Sequence, residues 1–87
     1  MNITVEFFGI PRQRAGVSQT TATGTRLGEV LADLTKQFPG LGQTCFDADH
    51  LRAGFIANLD GQRFISDPGT PLHSGDCLLI LSLDAGG

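Results

Sequence analysis

The chain has 87 residues, 40% of them hydrophobic and 17% charged, with a net charge of −3; this describes one globular domain around a single small core rather than a chain disordered throughout. Its six lysines and arginines are scattered rather than gathered into a stripe, so nucleic acid is not an expected partner. No apolar run approaches the ~20 residues that cross a bilayer, and Met1-Asn2-Ile3-Thr4 opens on a strand pattern rather than a secretory signal, so a cytoplasmic protein with no membrane partner is expected.

Ile3-Thr4-Val5-Glu6-Phe7 alternates apolar and polar residues, which predicts a half-buried strand with Ile3, Val5 and Phe7 inward. Gly9-Ile10-Pro11 breaks that run and Ala15-Gly16 offers a turn. Val17 to Thr23 is rich in β-branched residues, with a period-2 set at Val17, Gln19 and Thr21, and its polarity places it near a sheet edge. Thr25 is the expected helix N-cap, and Leu27, Val30, Leu31, Leu34 and Phe38 follow at helical spacing until Pro39-Gly40 ends the helix. Leu41 to Gly54 has no strong period and is expected to be a long connection with at most a short helical turn around Ala48 to Arg52.

Phe55 to Leu59 and Gln62 to Ile65 flank Asp60-Gly61, a tight-turn signal, and are predicted to form a hairpin. Pro68-Gly69 and Pro71 mark a second irregular crossing. Cys77 to Leu83 is the most continuously apolar segment and belongs in the middle of the sheet, with the first strand beside it in parallel. The order β-β-α-β-β-β, with one main helix able to cover only one face of a mixed sheet of about five strands, is an α+β architecture of the grasp type. The core is expected to comprise Ile3, Val5, Phe7, Leu27, Val30, Leu31, Leu34, Leu72, Leu78 and Ile80. The domain spans residues 1–83, and 84–87 form a flexible tail.

No constellation in the interior carries chemistry. The glycines at 9, 16, 24 and 28 lack the spacing of a phosphate loop. Two cysteines are too few for a disulfide framework or for an iron–sulfur cluster. Cys45, His50, His73 and Cys77 have the ligand count of a structural zinc site, but Cys-x4-His is not a usual spacing and Cys77 lies in a strand; two unrelated thiols and two surface histidines are expected instead, with no metal and no bound cofactor. The last strand is apolar on both faces, with Leu78 and Ile80 on one and Leu79, Leu81 and Leu83 on the other. One helix covers only the first face. The second is expected to be a partner site, unless the 41–54 connection folds over it.

Beyond that strand, Asp84-Ala85-Gly86-Gly87 carries almost no side-chain bulk. Four extended residues reach roughly 13 Å, and paired glycines let a backbone enter a narrow channel with its carboxylate unshielded. Those are the requirements of a chain end that is itself a substrate.

Pro71-Leu72-His73-Ser74-Gly75-Asp76, the apolar strand and the terminal Gly86-Gly87 together resemble the MoaD/ThiS family of ubiquitin-like sulfur carriers. The likeness extends over the whole chain, including Phe7-Phe8, the Arg12 to Gly16 turn and Leu59-Asp60-Gly61. It implies a β-grasp fold, and a Gly87 carboxylate adenylated at the expense of ATP by a partner related to ubiquitin-activating enzymes. The resulting thiocarboxylate would then donate sulfur. It further implies that Asp84, Ala85 and Gly86 form the tail, that Leu79, Leu81, Leu83 and Phe8 dock the partner, and that the protein is a carrier rather than an enzyme. Length favours the small subunit of molybdopterin synthase, with the large subunit as sulfur acceptor. Ser82-Leu83-Asp84-Ala85 stands where those members commonly carry Pro-Pro, which leaves carriers for thiamine, cysteine or siderophore synthesis open. A ubiquitin-like modifier, conjugated through the same Gly87, is the alternative from another class.

Overall fold

The computed structural model describes residues 2–83. Its first strand, β1 (Asn2–Phe8), buries Ile3, Val5 and Phe7 as the alternation predicts. The break that follows is a short helix, α1 (Ile10–Ala15), rather than an open turn. Pro11 starts it, since a proline in the first helical turn removes an N–H that has no partner there. Gly16, at φ 78, ends it by donating its N–H to Arg12 O at 2.9 Å.

The second strand, β2, is confined to Gln19–Thr23, and its inward residue is Ala22. The set at Val17, Gln19 and Thr21 therefore lies on the wrong parity to face the core. Helix α2 (Leu27–Gln37) buries Leu27, Val30, Leu31 and Leu34 completely. Its N-cap is Arg26, one residue later than expected, and Thr25 contributes by donating both its N–H (2.7 Å) and its hydroxyl (2.9 Å) to Glu29 Oε1. These two bonds hold the Glu29 carboxyl below its ordinary range. The Leu27 and Gly28 amides donate to Thr70 O and Pro68 O, so the irregular 66–71 crossing satisfies the start of α2. At its other end the Phe38 ring meets Phe7 edge-on, centroids 5.9 Å apart.

Pro39 ends α2 and also begins α3 (Pro39–Cys45), a helix the sequence does not announce. It packs on α2 and α1 and adds Leu41 and Cys45 to the core, with Phe46 just beyond. Instead of a helical turn around Ala48, the chain makes a small hairpin of β3 (Phe46–Asp47) and β4 (His50–Leu51), with Ala48 at φ 57. These elements lie on the helix side of the main sheet, because Leu41, Cys45 and Phe46 share one buried cluster with the α2 stripe. The 41–54 connection thus leaves the opposite face open.

The hairpin of β5 (Phe55–Leu59) and β6 (Arg63–Ile65) closes through Asp60 and Gly61, both at positive φ (58 and 72), the primed-turn geometry that suits strand twist. The last strand, β7 (Cys77–Ser82), is central: the sheet order is β2-β1-β7-β5-β6, with β1 parallel and β5 antiparallel to it. All ten residues expected in the core are at most 2% exposed. The fold is a mixed five-stranded ubiquitin-like β-grasp sheet with three helices.

Candidate functional site

Residues along β7 alternate between two environments. Leu78 and Ile80 point into the core, and Ser82 is buried on the same side; Leu79 and Leu81 point the other way and are half-buried. The ladders extend that outer row sideways. Phe8 of β1 and Ile56 of β5 flank Leu81, while Glu6 and Asn58 flank Leu79, and Phe64 of β6 lies beyond Asn58. Phe8 is 44% exposed, Phe64 67% and Leu83, one step past the strand, 59%. Six apolar side chains thus share a sheet face that no helix among the described residues covers, an unusual arrangement for so small a domain unless something binds there.

The expected docking residues Phe8, Leu79, Leu81 and Leu83 are thereby brought onto one face. Ile56 and Phe64 were not anticipated, although the Asp60-Gly61 turn and the period of 2 along β5 and β6 would have placed them there. Asn58 was also missed. It sits amid the apolar row, and its Oδ1 is buried without a hydrogen-bond partner, an arrangement that costs free energy in the isolated protein.

Two contacts fix the end of the frame. Ile10 donates its N–H to Ser82 Oγ at 3.4 Å, tying β7 to the start of α1. Leu83 donates its N–H to Gly54 O at 2.8 Å, at the end of the described residues. Gly87, Gly86, Ala85 and Asp84 lie outside the described residues.

The most family-specific segment of the sequence has a structural job. Leu72 is buried and donates its N–H to Thr25 O, Gly75 takes a φ of 91, and Asp76 Oδ2 accepts the His73 N–H at 2.7 Å. Together they launch β7 alongside β1, where Thr4 donates to Asp76 O.

The thiols are poor nucleophiles. Cys45 is buried, and burial pushes its thiol up to about 11. Cys77 is raised by burial first, then by Glu6, whose Oε2 accepts its S–H at 3.4 Å. His50 and His73 are exposed and pair with Asp49 and Asp76. Among the described residues no group of three or more histidines, cysteines or carboxylates is placed to hold a metal ion, and no helix is long and apolar enough to cross a membrane.

No protein-family model matches the chain. The sulfur carrier protein CysO of Mycobacterium tuberculosis is 30% identical to it over the full length of both. Among solved structures, small archaeal modifier protein 1 (SAMP1) of Haloferax volcanii superposes with a TM-score of 0.83 at 19% identity, covering both chains completely. A chain of the Amycolatopsis orientalis BexX/CysO complex gives 0.82 at 21% identity, covering 98% of this chain and 99% of that one. A chain from the complex of subunits 1 and 2 of the molybdopterin-converting factor of Helicobacter pylori gives 0.68 at 23%, again covering both completely.

Proposed function

This chain belongs to the family of CysO sulfur carrier proteins, ubiquitin-like carriers of the MoaD/ThiS type, and on that premise we propose that its working group is the carboxylate of Gly87. The observation that carries the proposal is the full-length 30% identity with a curated sulfur carrier. Such proteins are carriers and not enzymes.

In the proposed cycle an adenylating partner of the ubiquitin-activating type joins the Gly87 carboxylate to AMP from ATP, releasing pyrophosphate. A carboxylate is a poor electrophile; the acyl phosphate linkage supplies the leaving group. Sulfide then attacks the acyl carbon and displaces AMP, leaving a thiocarboxylate. Phe8, Leu79, Leu81 and Leu83, widened by Ile56 and Phe64, dock the partner, while Asp84, Ala85 and Gly86 pass the terminus through a narrow channel. The partner's reactive centre then lies within the roughly 13 Å that four extended residues can span from Leu83.

For the destination of the sulfur we favour cysteine synthesis over molybdopterin. The likeness to the molybdopterin-converting factor is one of fold, whereas the full-length sequence match is to CysO. Incubation of the full chain with a cognate adenylating enzyme, ATP and sulfide tests the cycle. Sulfur in place of one oxygen on the C-terminal peptide, seen by mass spectrometry, is the expected result. Sulfur on Cys45 or Cys77, or a ladder of larger protein conjugates in place of a thiocarboxylate, overturns it.

A further inference from the structure

The free edge of β2 carries an arrangement that sulfur carriage does not use. Phe7 donates its N–H to Ser18 O, and Val5 and Ile3 pair with Thr20 and Ala22. The even-numbered residues of β2 therefore turn their backbone groups toward β1, and Gln19, Thr21 and Thr23 turn theirs toward the edge. Among the described residues β2 has a neighbour on one side only. An open edge is a template for another strand, and proteins blunt it with charge, proline, a bulge or shortness. Gln19–Thr23 contains no charge and no proline, and three of its five residues are β-branched threonines. The opposite edge, β6, is only three residues long and starts with Arg63.

Side chains from α2 take the place of the missing devices. Thr23 donates its N–H to Asp33 Oδ2 at 3.1 Å, and Gln37 Nε2 donates to Thr21 O at 3.0 Å. Gln37 Nε2 also donates to Asp33 Oδ2 at 3.0 Å, and Gln37 Oε1 accepts the Thr20 hydroxyl at 2.9 Å. Asp33 and Gln37 are one helical repeat apart, so they stand on the same face of α2. The Thr21 carbonyl and the Asp33 carboxylate, which only accept, fix which end of the Gln37 amide is the donor.

The pattern is that of a strand. In a parallel ladder one residue of the incoming chain sits opposite Ala22, donating its N–H to Thr21 O and accepting from the Thr23 N–H. Gln37 Nε2 occupies the donor position and Asp33 Oδ2 the acceptor position. We infer that the Asp33–Gln37 pair is an edge plug, a two-side-chain substitute for a peptide unit that keeps β2 closed to the same strand of a second copy. A second copy is the occupant held off because β2 is uncharged and self-compatible, so two such edges meet with no like-charge repulsion along the strand.

The test is Asp33→Ala/Gln37→Ala in the full chain. Both sites lie outside the core, and alanine keeps the helix propensity of α2. Sedimentation equilibrium should show the wild type as a monomer and the double variant approaching twice that mass as concentration rises. Adding Thr21→Pro should restore the monomer, because proline there removes an edge-facing N–H without touching a bond to β1. A folded double variant that stays monomeric over the same range overturns the inference, as does association that Thr21→Pro leaves intact. Should the double variant fail to fold, amide exchange in the wild type decides: the Thr23 N–H should exchange several-fold more slowly than the Thr21 N–H on the same edge, and equal rates overturn the plug.

Discussion

Cys45 and Cys77 are the side chains able to compete with a terminal carboxylate for sulfur, and their surroundings hold both back. The thiolate is the reactive form. Cys45, raised by burial from an ordinary 9.0 to about 11 with only a partial offset from Arg14, stays protonated well above neutral pH. Unfolded Cys45 loses its proton near 9.0 and folded Cys45 near 11, so the folded state loses stability as pH rises through that interval. Iodoacetamide at pH 8 should therefore modify the folded protein slowly and at Cys77 first, with Cys45 labelled only after denaturation; rapid labelling of both, read by mass spectrometry, would show that the core does not shield them. The open face gives a second prediction at this scale. Leu81 points away from α2 between Phe8 and Ile56, so Leu81→Asp should leave the far-ultraviolet circular dichroism unchanged. It should weaken binding to the adenylating partner by about 2 kcal/mol or more, roughly thirtyfold, as truncation of an interface anchor does. An unfolded variant would instead assign Leu81 to the core.

Elements whose own pattern agrees with their surroundings were legible from the sequence. The stripe Leu27, Val30, Leu31, Leu34, Phe38 and the alternation of β1 each encode a face, and every residue they nominate is buried except Phe38, which caps α2 and is only partly buried. Helix α3 was not legible, because Pro39-Gly40-Leu41-Gly42 argues against a helix by about 1 kcal/mol for each glycine. Burial of Leu41 and Cys45 against α2 overrides that preference, and the closeness of the packing explains the composition. A Cβ on Gly42 would lie 2.5 Å from Thr35 Cγ2 and 2.7 Å from Thr35 Oγ1. Those atoms belong to a short β-branched side chain whose hydroxyl donates to Leu31 O, so it has little room to move. Gly42→Ala should accordingly destabilise the protein by roughly 1–3 kcal/mol despite alanine's better propensity, and Thr35→Ala in the same chain should recover part of that loss; chemical denaturation measures both. A stabilised Gly42→Ala would mean that α2 and α3 are less closely packed than described. The β3–β4 hairpin was illegible for a simpler reason, since two-residue strands are too short to carry any period.

On the scale of the whole molecule, the topology sets the last described residues at the centre of the sheet. β7 is bonded on both sides, to β1 and to β5, and Leu83 closes the frame through Gly54 O. The apolar row is the outer surface of that same strand, so a partner docked on Phe8 and Leu81, as proposed, would also fix the position of Leu83. Gly86-Gly87 lies outside the described residues; that Ile56 and Phe64 share a face follows from the hairpin, but that this face continues the row of β7 depends on the β5–β7 register, which a single strand's sequence does not carry. From Leu83 onward the reach of the terminus is set by the number of residues, each about 3.5 Å when extended. Two changes test that count. Deleting Gly87 withdraws the carboxylate by one residue, and appending one alanine moves it the same distance forward. Misplacement of even ~1 Å costs on the order of a hundredfold when a reacting group must be held in line, so both variants should lose thiocarboxylate formation by at least that factor. Neither touches Phe8, Leu79 or Leu81, so affinity for the adenylating partner, measured by calorimetry without ATP, should stay within a few-fold of the wild type. Leu81→Asp is the converse, losing binding while its terminus stays intact. Wild-type rates of sulfur loading in the alanine-extended chain would show that the number of residues beyond Leu83 does not set where the carboxylate reacts.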